Sequence, residues 1–172
     1  MKLPVPIRAM GIDCGTEFTG YAVVEKQGKA LLRIASGSIA LSKSLTFAER
    51  LDQIHRTLCS VIEEHHPECV AIEEVFYSVN AKSALKLGHV RGVALLAAAN
   101  CKLPIAEYSP LSVKSAVVGY GRAEKQQVQQ MVARLLGLIE VPESEDEADA
   151  LAIAICHLHT SATLIQQKKV RA

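Results

Sequence analysis

No stretch of this 172-residue chain carries enough consecutive apolar residues to span a bilayer as a helix, which argues against an integral helical membrane protein. A secretory leader is lacking too: Met1 to Pro6 is too short, and too broken by proline, to serve as one, so the expected compartment is the cytoplasm. No Cys-x-x-Cys pair occurs. The five cysteines stand singly at 14, 59, 69, 101 and 156, and an odd, scattered set argues against both a disulfide framework and a structural zinc site. Buried, reduced thiols are the expectation. Charge of one sign is also missing. A formal net charge of +1 gives no broad basic field, so any contact with nucleic acid must come from local clusters of Lys and Arg. Repeats, low-complexity tracts and linkers are absent as well. One domain over residues 7–160 is expected, with short extensions at 1–6 and 161–172.

What the chain does have is an ordinary globular composition, 49% hydrophobic, in a length that can bury a substantial core without staples. Ile7 to Asp13 is an apolar run ending in a glycine-bearing turn and reads as a buried strand. Gly20 to Glu25 and Leu31 to Leu41 read as two more, with the Gly37 region allowing a bend or bulge. Short connections make these three an antiparallel meander. Helical spacing then places Phe47, Leu51, Ile54, Leu58, Val61 and Ile62 on one face, behind a Thr46-x-x-Glu49 capping box. Cys69 to Glu73 is a strand reached through that helix, and so parallel to the first. A helix over about Ala81 to Asn100, a short strand at Pro104 to Tyr108, and a helix opened by Ser109-Pro110 follow. Glu124 to Leu136 is helical and closes on Gly137, and a last helix starts near Ser144. The order is that of an α/β fold, a five-stranded mixed sheet flanked by helices. Val93 to Ala99 is apolar on nearly every face, which reads as a helix buried all round or one contributing to a dimer.

Acidic residues fall at telling places. Asp13 ends the first strand and Glu73 the fourth; if those strands are parallel neighbours, their ends lie about 5 Å apart. Asp146 and Asp149, three apart, share one face of the last helix. Capping and the helix dipole account for Glu143, Glu145 and Glu147, with Ser144-x-x-Glu147 as a capping box, but less well for Asp149. Converging carboxylates raise one another's proton affinity unless a cation neutralises them. Oxygen donors without a His-Cys set select Mg²⁺ or Mn²⁺ rather than zinc. Two such ions serve in-line phosphoryl displacement.

These residues resemble the RuvC family of crossover (Holliday) junction endodeoxyribonucleases, members of the ribonuclease-H-like superfamily. The resemblance rests on Gly11-Ile-Asp13-x-Gly15 with Thr19-Gly20-Tyr21, Ala71-Ile-Glu73-x-Val-Phe76 and Asn80-x-x-Ser83-Ala-Leu-Lys-Leu-Gly88. It continues through Arg91-Gly-Val-Ala, Tyr108-Ser-Pro-x-x-Val-Lys114, Ala123-Glu-Lys125-x-x-Val128 and Asp146-x-Ala-Asp149. Seven segments in order cover nearly the whole chain. The resemblance implies that Asp13, Glu73, Asp146 and Asp149 are the metal-binding catalytic acids. By the same implication Lys114 and Lys125 serve DNA binding and phosphoryl transfer, and Phe76 stacks on a base at the branch point. It also implies two Mg²⁺ per site with Mn²⁺ able to substitute, a homodimer, and association with a RuvA–RuvB branch-migration complex. The implied reaction is paired, symmetric nicking of a four-way junction by a metal-activated water, leaving 5′-phosphate and 3′-hydroxyl. One departure is Cys14, where the family usually has proline; neighbouring side chains of an extended segment point oppositely, so Cys14 should face away from the acids.

Two other readings compete. Gly11-x-Asp13-x-Gly15-Thr16 also looks like the first phosphate loop of actin-like kinases and ATPases, but those need a second domain and a second Asp-x-Gly loop. A non-catalytic junction-binding protein on the same fold would be signalled by loss of one of the four acids, and all four are present. The basic tail Gln166 to Arg171 lies outside the match and reads as a solvated charge run.

Overall fold

The computed structural model describes the backbone of residues 7–74 and 80–170 and the side chains through residue 161. Among the described residues ten elements follow in order: β1 (Ile7–Asp13), β2 (Phe18–Gln27), β3 (Ala30–Ala40), α1 (Phe47–His65), β4 (Cys69–Glu73), α2 (Ala81–Asn100), β5 (Ile105–Tyr108), α3 (Pro110–Val118), α4 (Lys125–Leu135) and α5 (Glu145–Val170). The strands form one sheet in the order β3-β2-β1-β4-β5. The β1-β2 and β2-β3 pairs are antiparallel, whereas β1-β4 and β4-β5 are parallel. Short turns suffice for the first two pairs. The parallel pairs need crossovers, supplied by α1 and α2.

Alternation along the strands sets the layering. Met10 and Ile12 of β1, Val23 of β2, and Val70 and Ile72 of β4 face one side, where Ile54, Leu58, Val61 and Ile62 of α1 and Val90, Ala94, Ala97 and Ala98 of α2 cover them. Ala9 of β1, Ala22 and Val24 of β2, and Cys69 and Ala71 of β4 face the other side, against α5. Helices α3 and α4 lie over the outer face of α5 through Val113, Val117, Val128 and Val132. Full burial of each large aliphatic side chain in these layers contributes about 1.5–3 kcal/mol.

This arrangement reverses one expectation. The helix buried all round is α5, where every residue from Ala148 to Cys156 except Asp149 is buried, because it lies between the sheet and two further helices. Among the described residues helix α2 is covered on one side; Leu96 is 52% exposed and Leu85 66%.

Local chemistry accounts for the element ends. Thr46 accepts from the amide of Glu49 at 3.3 Å, and the Glu49 carboxylate accepts from the amide of Thr46 at 2.7 Å, so the capping box forms in full. The Ser109 side chain caps α3 with Pro110 in its first turn, and Gly137 follows α4 at φ 62°. The irregularity in β3 lies earlier than expected. The register slips between Val23 and Val24, leaving Ile34 as the extra residue, while Gly37 stays in register opposite Tyr21. Gly37 instead leaves room for the Tyr21 ring, whose hydroxyl would lie 2.9 Å from a Cβ there. Strand β2 runs longer than its apolar core suggests, and β5 starts at Ile105, since Pro104 has no amide to pair.

All five cysteines are free; Cys69 and Cys156 are buried, and Cys14, Cys59 and Cys101 are half-buried. Among the described residues no helix is long and apolar enough to cross a membrane.

Candidate active site

Asp13 stands opposite Gly20 in the β1-β2 ladder, and Gly20 stands opposite Ser38 in the β2-β3 ladder. On the other side, Ile12 pairs with Ile72, so Asp13 and Glu73 are the next residues beyond a matched pair on adjacent parallel strands. Glu73 in turn pairs with Tyr108. A single row thus crosses all five strands at one end of the sheet. Asp13 and Glu73 are each two residues beyond one that faces α5 (Gly11 and Ala71), so both point to the α5 side.

Helix α5 brings the other two acids. Its backbone rests directly on that of the sheet at two glycines. A Cβ on Gly11 would lie 2.1 Å from the Ala150 carbonyl oxygen and 2.7 Å from the Ala154 nitrogen; one on Gly20 would lie 1.9 Å from the Asp146 carbonyl oxygen. Neither space admits a side chain. The close seating carries Asp146 and Asp149 down to Asp13, and helical spacing turns both toward it.

The electrostatics bear the marks of crowded like charges. Asp13 is pushed from 3.8 up to about 7, first by burial and then by Asp149, Glu73 and Asp146. Glu73 is raised by burial and by Asp149, against the opposing pull of Lys114 and Lys125. Burial also raises Asp149, although Lys125 pulls the other way. The Lys125 ammonium lies 2.9 Å from Glu145 Oε2 and 3.3 Å from Asp149 Oδ2. Glu73, Asp149, Lys114 and Lys125 line a cleft of about 210 Å³, with Pro110, Val113, Val128 and Ala152 as its apolar wall. Helices α3 and α4 therefore carry the two lysines to the carboxylate end of the sheet.

The donor set suits a hard divalent cation: the converging side chains are carboxylates, with no imidazole or thiolate among them. Among the described residues no three acids stand close enough to hold a metal ion as they are placed, and the ammonium of Lys125 bridges Glu145 and Asp149 instead. Burial first, and then the neighbouring carboxylates, raises the proton affinities of these acids, and a divalent ion would offset both. The residues fit such an ion. Cys14 packs against the opposite layer with α1 and α2, as its position next to Asp13 requires, and burial pushes its thiol up to about 12. It is no donor to the acid cluster.

Of the residues singled out in the sequence, Glu73, Asp149, Lys114 and Lys125 line one cleft, Asp13 and Asp146 share the electrostatic field of those acids, and Phe76 lies outside the described residues. Three features escaped sequence reasoning. Gly11 and Gly20 were read only as parts of a pattern, although a glycine inside a strand is a signal for close backbone approach. Glu147 is not the closing half of a capping box. Its amide does donate to Ser144 Oγ at 3.4 Å, but its carboxylate accepts from Ser36 Oγ at 2.6 Å and lies 3.6 Å from Arg33, tying α5 to β3. Glu145 is likewise more than a dipole partner, being the closer of the two acids that hold Lys125.

A mixed sheet in the order β3-β2-β1-β4-β5, with acids gathered where its central parallel strands end, defines a nuclease of the ribonuclease-H-like class. The family model for crossover junction endodeoxyribonuclease RuvC matches residues 9–157. The chain belongs to the RuvC family, whose members are divalent-metal-dependent nucleases. The crossover junction endodeoxyribonuclease RuvC of Koribacter versatilis is 66% identical over 92% of this chain and 96% of its own length. That of Acidobacterium capsulatum is 60% identical over 94% and 99%. Among solved structures, Thermus thermophilus RuvC superposes with a TM-score of 0.85 at 34% identity, covering 91% of this chain and 96% of that one. The same protein in complex with a Holliday junction substrate gives 0.83 at 32% identity over the same shares.

Proposed function

We propose that the protein resolves four-way DNA junctions by paired, symmetric, metal-dependent nicks that leave 5′-phosphate and 3′-hydroxyl ends. The observation that carries this reading is the placement of Asp13 and Glu73 on neighbouring strands, with Asp146 and Asp149 seated against them through Gly20 and Gly11. In this reading Asp13, Glu73, Asp146 and Asp149 hold two Mg²⁺ ions, and Mn²⁺ substitutes. When bound, such ions supply the Lewis-acid charge that activates water and stabilises the leaving oxygen. Lys114 and Lys125 hold the scissile phosphate from the α3-α4 side of the cleft. Their charge also steers the backbone into a site that would otherwise repel it. Phe76 follows Glu73 by three residues and stacks on a base at the branch point.

The working unit is a homodimer in the cytoplasm, its catalytic domain spanning residues 7–160. Support for the dimer comes from α2, whose uncovered side forms an apolar groove with Leu51, Leu85, Gly88, Gly92, Val93 and Leu96. Exposed leucines beside glycines let two helices approach closely, and a two-fold contact would be self-complementary. A RuvA–RuvB branch-migration complex is the expected partner on the junction.

The test is incubation of the protein with a synthetic four-way junction and with a linear duplex of the same sequence, with and without Mg²⁺. Paired nicks on the junction alone, and only with the ion, support the reading. Tight junction binding without any nicking would replace it with a non-catalytic binding role.

A further inference from the structure

Lys125 Nζ is shared between two acids of the same helix turn, at 2.9 Å from Glu145 Oε2 and 3.3 Å from Asp149 Oδ2. Asp149 belongs to the acid cluster and lines the cleft; Glu145 does not line it and is 67% exposed at its rim. The ammonium thus stands between a cluster that needs positive charge and a rim carboxylate that offers it an alternative partner. Residues 145 and 149 are one helical turn apart, so a lysine reaching across from the start of α4 can touch both.

A cation arriving at Asp149 competes with this ammonium, since the same carboxylate cannot serve both at full strength. Whether the competition is costly depends on where the ammonium goes. With Glu145 present, it keeps its shorter hydrogen bond and simply releases Asp149. Without Glu145, Asp149 is the remaining carboxylate in ion-pair contact with it.

We infer that Glu145 is a positioning residue that draws Lys125 toward the rim, freeing Asp149 for a divalent cation while keeping the ammonium beside the cleft. This rests on the assignment of Asp149 as a metal-binding acid. The effect is modest, because Glu145 and half of Lys125 are open to solvent; exposed pairs of this kind shift an equilibrium by roughly threefold.

The experiment is Mn²⁺ binding to the full chain without DNA, followed by electron paramagnetic resonance, in the wild type, Glu145→Gln, Lys125→Met and the double variant. Lys125→Met removes the competitor and should tighten binding. Glu145→Gln should weaken it by about threefold and Glu145→Asp restore it in part. In the double variant affinity should match Lys125→Met alone, because Glu145 acts through the lysine. Equal weakening by Glu145→Gln with and without Lys125 would overturn the inference in favour of a bare field effect, as would no weakening at all. If the wild type binds no Mn²⁺, the metal assignment falls and takes the inference with it. Thermal unfolding of each variant separates these outcomes from loss of fold.

Discussion

The α-carbon of Gly20 lies so close beneath the carbonyl of Asp146 that a Cβ on the glycine would approach that oxygen to 1.9 Å. Gly20 is also the ladder partner of Asp13. This missing side chain, together with that of Gly11, therefore governs how far α5 descends onto the sheet, and with it the distance between carboxylates that come from opposite ends of the chain. Gly20→Ala should lift the first turn of α5, at a cost of about 1–3 kcal/mol in stability. Junction cleavage should fall more steeply than stability, by tenfold or more, since misplacing a catalytic group by an ångström costs on the order of 100-fold. Denaturant unfolding and single-turnover cleavage of the same preparation check this; unchanged cleavage would mean that the seating of α5 does not set the site.

Asp13→Asn should abolish nicking of a four-way junction, lowering the rate at least 1000-fold, roughly the scale of losing a principal electrostatic group. Junction binding in Ca²⁺ or chelator should survive within a few-fold. Gel retardation and nicking assays on one preparation decide it.

Stability should depend on pH through the same residue. The folded proton affinity of Asp13 is raised from 3.8 to about 7, so between those values the native state holds more protons than the unfolded chain. Without divalent ions, stability should therefore fall as pH rises from about 4 to about 7 and level off beyond. The groups that face Asp13 and reinforce this are Asp149, Glu73 and Asp146, with Lys125 opposing. Mg²⁺ should raise the melting temperature more at pH 8 than at pH 5, because the ion competes with protons for the acids. Melting curves across pH, with and without Mg²⁺, test both parts.

Lys114→Ala should weaken junction affinity and reduce the slope of log K against log salt by about one, the loss of one phosphate contact. The same change should raise the proton affinity of Glu73 further, since Lys114 is one of the cations that hold it down. Titrations at several salt concentrations measure the slope; a slope identical to wild type removes Lys114 from the DNA path.

Leu96→Glu places a charge on the uncovered side of α2, where Leu96 is already 52% exposed. The isolated fold should tolerate it within about 0.5 kcal/mol, as surface substitutions usually are. A dimer built on that face should dissociate, its constant weakening by about 100-fold or more, as when a buried charge is left unpaired at an interface. Sedimentation equilibrium of wild type and variant reads the outcome directly.

Most of the fold was legible because its elements announce themselves locally. The apolar run of β1, the capping box at Thr46 and Glu49 and the αL glycine after α4 each depend on residues a few positions apart. Asp13 and Glu73 were legible for the same reason, as acids that end apolar strands. Harder to read were relations that a local pattern does not contain. The run Val93 to Ala99 gave the same apolar signal as α5, yet only α5 is enclosed, since enclosure depends on whether α3 and α4 later fold across that helix. Glu145 and Glu147 looked alike as acids near a helix start, but one meets Lys125 and the other Ser36.

Sequence by itself thus determined the order of the elements, the strand polarity and which carboxylates were available, because backbone geometry and side-chain periodicity act over one or two turns. Tertiary structure alone decided that acids more than 130 positions apart, Asp13 and Asp146 among them, share one field, and which acid answers which lysine. Those outcomes follow from close packing: α5 lies where Gly11 and Gly20 let two backbones touch, and contact between distant segments is specified by shape rather than by any local pattern of residues.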